Sequence, residues 1–253
     1  MQITGRFLPC TVGCFFALSV AHADTQPVYD FSGNMMLTTD YLFRGVSQTD
    51  EGPAIQGGFD YSHTPSGFYL GAWASSIEFN TANNTNDSSI EVDLYGGIAG
   101  EFSSGISWDI GGIYYYYPDQ NEDTINGDYN YWEVYGELGY MFSGSTLKPA
   151  IGTKFSYSND YFGEDGSSLY SEGSLDLSLP NDFGLGFHLG LMDVDGGKTT
   201  PRGYDYMHAS TTLSKEVAGF DLDLSYNRAF DKGDCPGNKD FCEAVVLSVS
   251  RNF

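Results

Sequence analysis

Apolar and polar side chains alternate with a period of two along nearly the whole chain, and Ile90-Glu91-Val92-Asp93-Leu94-Tyr95 shows it plainly. Successive side chains of a strand point to opposite faces, so this segment has one oily and one charged face. Only two architectures accommodate a chain built this way. A soluble sandwich buries the oily face against a second sheet, whereas a membrane barrel turns it to lipid and the charged face to an aqueous lumen.

The breaks between alternating runs decide between them. Short breaks fall at Thr64–Gly67, Ser103–Gly105, Ser143–Ser145, Pro180–Asp182 and Glu216–Gly219. Long breaks, rich in Asp, Asn, Gly and Ser, fall at Arg44–Pro53, Asn80–Ser89, Pro118–Asp128, Asn159–Ser167, Asp193–Gly203 and Asp231–Asp240. The two kinds take turns, so five short turns and six long loops make eleven connections and twelve strands. A transmembrane antiparallel up-and-down β-barrel, all-β with about 12 strands, has this segregation of loop length, with short turns on the periplasmic side. A sandwich has no reason for it.

Facing follows strand by strand. Phe31, Met35, Leu37, Tyr41 and Phe43 are expected on the lipid face, opposite Asn34, Thr38 and Asp40. The phase of Phe68–Phe79, apolar on both faces, stays open. Aromatic residues gather at both strand ends, as interfacial girdles require. Tyr61, Phe68, Phe102, Trp108, Tyr140, Phe142, Phe183 and Phe220 lie near the short turns. Tyr41, Phe43, Phe79, Tyr114, Tyr116, Tyr129, Tyr131, Tyr157, Tyr204 and Phe230 lie near the long loops.

Residues 1–23 read as a secretory signal: Arg6 supplies the charge, Phe7–Val20 the apolar run, and Ala21-His22-Ala23 the cleavage site. Thr11-Val12-Gly13-Cys14 lacks the leucine expected of a lipoprotein signal. The barrel is then 24–253, in the outer membrane of a Gram-negative cell. Losing Arg6 takes the net charge from −23 to −24, which sets nucleic acid aside as a partner and favours cations. Of four cysteines, Cys10 and Cys14 leave with the signal; Cys235 and Cys242 are expected to close a small disulfide loop in the oxidising compartment.

Inward positions carry Asp60, Glu91, Asp93, Asp109, Glu133, Glu137, Glu172, Asp176, Asp221 and Asp223 against the bases Lys148 and Lys154. Rings of one charge sign bias permeation toward the opposite sign, so a passive channel with this lining prefers cations. The competing arrangement pairs acids with bases and plugs a narrow barrel, for which bases are scarce.

Hydrolysis would need a nucleophile beside a base. His63 falls on the lipid face near a short turn, while His188 and His208 face inward on neighbouring strands, with Ser210 near His208 and Asp176 a strand away. No triad spacing is evident, so the chain is not expected to be an enzyme. Asp193-Val194-Asp195-Gly196-Gly197 and Gly163-Glu164-Asp165-Gly166 offer oxygen ligands for Ca²⁺ but lack the spacing of a calcium loop, so no metal or cofactor is assigned. A barrel acting through such surface loops remains the alternative to a channel.

Several segments resemble the TorF-type porins of proteobacteria, also known as the Gcw_chp family. The first is Leu37–Tyr61 (LTTDYLFRGVSQTDEGPAIQGGFDY), followed by Glu91–Gly97, Tyr114–Pro118, Tyr131–Gly136 and Tyr157–Gly163, then Cys235, Cys242 and the last strand, Val245–Phe253. The resemblance covers essentially all of 24–253 and implies an outer-membrane barrel working as a porin; it names no solute. The terminal Phe253 on an alternating strand resembles the signal read by the barrel-insertion machinery, although Arg251 stands where that signal is usually apolar.

Overall fold

The computed structural model describes residues 28–79, 88–118, 120, 127–198, 202–231 and 243–253. The expected signal at 1–23 and the pair Cys235/Cys242 lie outside the described residues. Twelve strands form one closed antiparallel barrel: β1 (Tyr29–Thr38), β4 (Ala54–His63), β5 (Phe68–Ser76), β6 (Ile90–Glu101), β7 (Ile106–Tyr116), β8 (Tyr131–Met141), β9 (Ala150–Ser158), β10 (Ser168–Leu179), β11 (Phe183–Val194), β12 (Tyr204–Val217), β13 (Phe220–Asp231) and β14 (Glu243–Asn252). Each strand pairs with its neighbour in sequence, and β1 closes the ring by pairing with both β4 and β14. The strand number and up-and-down order are those read from the breaks. Two short strands, β2 (Leu42–Phe43) and β3 (Val46–Ser47), make a separate hairpin.

The alternation maps onto the two faces of the wall. On β6, Glu91 and Asp93 are buried in the interior while Ile90 and Leu94 are exposed outside. Phe31, Met35 and Leu37 are likewise exposed, Phe31 by 77%. So contiguous an apolar exterior would drive aggregation in water and is what a lipid tail solvates, while closure leaves no sheet edge unpaired. Among the described residues no helix is long and apolar enough to cross a membrane; the strands make up the wall.

Two expectations about facing change. The open phase of Phe68–Phe79 resolves with Tyr69 inward and Phe68 and Leu70 outward. Tyr41 and Phe43 do not continue the lipid face of β1. The strand ends at Thr38, the chain bends over Thr39-Asp40, and Tyr41 becomes one of the most completely buried side chains in the molecule.

The aromatic bands are therefore unequal. At the short-turn end Phe68, Phe102, Tyr140, Phe142 and Phe220 are exposed outward as a girdle. At the long-loop end only Tyr114, Tyr116, Tyr157 and Phe230 of the expected set are exposed outward. Tyr129 and Tyr131 are buried, and with Tyr41, Phe43, Phe79 and Tyr204 they join an interior cluster that includes Tyr115, Tyr117 and Tyr161. Tyr129 stacks on Phe162 at 4.3 Å and Tyr131 on Tyr115 at 4.4 Å. This cluster narrows the barrel at its loop end.

Candidate functional site

Strand register decides which inward groups meet. Lys154 of β9 stands opposite Glu137 of β8 on one side and Glu172 of β10 on the other. Its ammonium takes Glu137 at 2.8 Å and lies 4.6 Å from the centre of the Tyr135 ring. Lys148, expected as the second lumen base, is in the turn between β8 and β9 with φ +40, outside the strands. The wall there turns before reaching it.

Tyrosine hydroxyls cap several of the carboxylates. Tyr95 donates to Asp60 at 2.5 Å, and Tyr69 to Asp109 at 2.8 Å while its oxygen lies 2.5 Å from that of Tyr135. Glu91 accepts from Tyr41 at 2.6 Å and from Tyr117 at 2.5 Å. Glu172 accepts from Tyr170 at 2.5 Å and lies 3.2 Å from Nδ1 of His188; the Tyr170 oxygen is in turn 2.9 Å from Nε2 of His208. Both inward histidines thus belong to one hydrogen-bonded chain through Glu172 and Tyr170. Ser210 is opposite His188 in the register, not opposite His208.

Asp93 stands apart: it is fully buried, and neither carboxylate oxygen has a hydrogen-bond partner among the described residues. One oxygen of Asp223 is in the same condition. Asp176 faces inward from β10 opposite Gly186, and Asp221 lies near the short-turn rim, where Asn252 donates to it at 3.4 Å.

The residue that the sequence reading left out is Arg44. Phe43 pairs with Val46, so Arg44-Gly45 is a two-residue hairpin loop, and both have positive φ, 51° and 82°. That is the primed turn which suits a tight hairpin, with glycine where left-handed backbone is required. Residues 39–53 fold into the barrel mouth, pinned by Ser47 Oγ on Asp40 at 2.6 Å and by the amide of Glu78 on the carbonyl of Gln48 at 2.8 Å. The hairpin tip reaches the opposite wall: a side chain on Gly45 would meet Cβ of His208 at 2.7 Å. Arg44 donates from two nitrogens to both oxygens of Glu133, at 2.8 and 2.6 Å. Its guanidinium lies 4.2 Å from the centre of the Tyr170 ring and 4.7 Å from that of Phe43.

The lumen is consequently lopsided. From β5 to β8 it is filled by large rings, Tyr69, Trp73, Tyr95, Tyr115 and Tyr135, and the inserted hairpin packs against that side, with Tyr41 edge-on to Trp73 and Phe43 to Tyr115. From β10 to β14 the inward positions are mixed: Tyr170, His188, Met192, Tyr206 and His208 are large and buried, while Ser174, Gly186, Ser210, Thr212, Ser225 and Ser248 are small.

Outside the wall, the acidic loops considered for Ca²⁺ are tied to each other. The Lys198 ammonium donates to Glu164 at 2.5 Å, the Ser167 hydroxyl to Asp195, and the amide of Asp195 to the carbonyl of Ser167 at 2.9 Å. Held by Lys198 and by the amide of Asp128, the Glu164 carboxyl is kept below its usual range. Among the described residues no three His, Cys, Asp or Glu side chains gather as a metal site.

Residues 22–227 match a family described as bacterial protein of unknown function, Gcw_chp. The chain belongs to the Gcw_chp family. No curated protein matches it. Among solved structures, the barrel is similar to the COG4313 outer membrane channel from Pseudomonas putida F1, with 12% identity over 93% of this chain and 100% of that one and a TM-score of 0.54. It is also similar to the NanC porin, with 10% identity over 87% of this chain and 98% of that one and a TM-score of 0.53. At such identities the likeness establishes the fold of this Gcw_chp protein, a closed barrel of the kind found in outer-membrane channels.

Proposed function

We propose that this Gcw_chp protein is an outer-membrane channel for passive diffusion of small solutes, exported by the signal at 1–23, with the short turns facing the periplasm and Cys235 and Cys242 joined in an external loop. The observation that carries this reading is the contrast between the two faces of one wall. The outer face is apolar and ringed, and the inner face holds ten acidic side chains, Asp60, Glu91, Asp93, Asp109, Glu133, Glu137, Glu172, Asp176, Asp221 and Asp223, around a lumen lined on one side by small polar residues.

The passage follows the Ser/Thr/Gly positions of β10 to β14, because rings fill the other side, and the inserted hairpin, whose tip reaches β12, narrows it. Its selectivity is for cations or neutral solutes. Among the described residues the two inward bases, Arg44 and Lys154, are each already paired with a carboxylate, so the excess of acids sets the sign of the field. The partners are membrane lipid on the outside, small solutes inside, and the insertion machinery acting on the strand that ends at Phe253.

Conductance in planar bilayers under a salt gradient tests the reading. A reversal potential of cation-selective sign is expected, together with larger conductance when residues 42–47 are replaced by a short Gly/Ser linker. An anion-selective sign overturns the selectivity. Silence from both the native and the hairpin-less barrel favours instead a barrel acting through its surface loops, a reading to which the aromatic cluster narrowing the loop end lends its own support.

A further inference from the structure

We propose that the seat of Arg44 is a binding site for guanidinium-bearing solutes, in which Arg44 is a tethered stand-in that such a solute displaces. This rests on the channel reading, since it gives that passage a solute class. The seat belongs almost entirely to the wall. Glu133 of β8 supplies both carboxylate oxygens, at 2.8 and 2.6 Å from the two terminal nitrogens. Tyr170 of β10 supplies a ring face at 4.2 Å, and Met192 of β11 its sulfur at 3.6 Å. Tyr115 of β7 donates to Glu133 at 3.4 Å and so orients it. Only Phe43 travels with the hairpin.

A carboxylate presenting two parallel acceptors, with a ring stacked beside them, matches a flat guanidinium and not a compact ammonium. With the hairpin seated Glu133 is 1% exposed, and withdrawal of Arg44 would leave its carboxylate without the basic partner that compensates it. Asp93, whose register neighbour on β7 is Tyr115, brings a second carboxylate with no hydrogen-bond partner among the described residues close to the same seat. The wall therefore keeps its demand for a planar cation whether or not the loop meets it. The tether makes the site competitive: a free solute gains access when the Arg44-Gly45 tip of the hairpin lifts off the wall.

The test uses the full barrel purified in detergent, with ethylguanidinium and ethylammonium as probes at matched ionic strength and the midpoint of heat-modifiable gel mobility as readout. In Arg44→Ala the midpoint should rise saturably with ethylguanidinium, at a concentration roughly tenfold below that needed of ethylammonium, the equivalent of about 1.4 kcal/mol. The native barrel should need far more of the probe, and Arg44→Ala combined with Glu133→Gln should not respond. Equal responses to the two probes, or a response that survives Glu133→Gln, overturn the proposal. Should Arg44→Ala not fold, Arg44→Lys keeps the charge without the fork and must show the same preference for ethylguanidinium; no preference there overturns it too. Bilayer recordings separate the two readings: binding by a barrel that never conducts would leave the seat and remove the channel, whereas a conducting barrel that shows neither binding nor block by ethylguanidinium would remove the seat alone.

Discussion

Phe253 and Gly33 exchange backbone hydrogen bonds in both directions, from Gly33 N at 2.8 Å and from Phe253 N at 3.0 Å, and the Phe253 ring occupies the place a Gly33 side chain would take. The last residue thus locks the seam at which the sheet closes on itself. A Cβ at Gly33 would stand 2.8 Å from a ring carbon of Phe253. Gly33→Ala should destabilise the closed barrel by about 1–3 kcal/mol, as overpacking does. Phe253→Ala in the same chain should recover part of that loss, because the two sites are coupled. Thermal loss of heat-modifiable mobility measures both; additive losses would mean that the ring is not what Gly33 makes room for.

Tyr69 ties β5 to β7 and β8, neither of which is its neighbour in the barrel, donating to Asp109 while lying 2.5 Å from the Tyr135 oxygen. Tyr69→Phe keeps the ring and removes the hydroxyl, leaving buried Asp109 short of a donor. A loss of about 1–3 kcal/mol is expected, the range for a buried polar group deprived of its partner. Tyr114→Phe, on the exposed outer face, should be close to neutral. Urea titration after reconstitution into short-chain lipid compares them, and equal effects would deny the interior bond its role.

The alternation made the wall legible, and particular residues show where it stopped being so. Ile90–Tyr95 gave both faces of β6 correctly because the period holds for as long as a strand runs. Tyr41 shares the parity of Leu37, but parity carries no meaning once the chain bends after Thr38. Arg44 was hidden inside a break that looked like solvated loop. The available signal was an X-Gly pair between Leu42-Phe43 and Val46-Ser47, the pattern of a tight hairpin. The bonds from Tyr95 to Asp60 and from Tyr69 to Asp109 join residues far apart in sequence, so only the register of the closed sheet brings them together.

The clasp between Glu164 and Lys198 gives the outer loops a pH dependence of definite sign. The folded carboxyl is held below its ordinary value, first by the Lys198 hydrogen bond and then by the Asp128 amide. The clasp is therefore fully present above the normal glutamate range and is lost as pH falls through the lowered value. Amide exchange in 159–167 and 195–198 should be slower near pH 6.5 than near pH 3.5 after correction for intrinsic rates, roughly the two sides of that range. Being exposed, the pair should also weaken in high salt. Lys198→Gln should remove the pH step, and a step that persists would assign it to another group.

Gly45 decides whether the hairpin can seat. Its φ of 82° is left-handed, and a Cβ there would meet His208 Cβ at 2.7 Å. Gly45→Val adds about 1–2 kcal/mol of backbone strain to a contact with the Cβ of His208 on the opposite wall, an atom fixed to the backbone with no flexible end to yield. The barrel itself should persist, since no wall hydrogen bond involves Gly45, while the hairpin withdraws and single-channel conductance rises. Unchanged conductance with unchanged heat-modifiability would show that the hairpin does not narrow the passage.

Lys154 pairs with Glu137 at 2.8 Å and is one of two bases projecting into the lumen among the described residues. Lys154→Gln removes a positive charge from the wall without shortening the side chain much. A unit charge about 10 Å from a permeating ion in water contributes about 0.4 kcal/mol, roughly a twofold change in ion occupancy. Cation occupancy rises and anion occupancy falls by that factor, so cation over anion permeability should rise by about fourfold, and Glu137→Gln should lower it by a similar factor. The reversal potential under a potassium chloride gradient reads both, and the two shifts must have opposite sign. Shifts of the same sign would mean that the pair acts through the shape of the passage and not through its field.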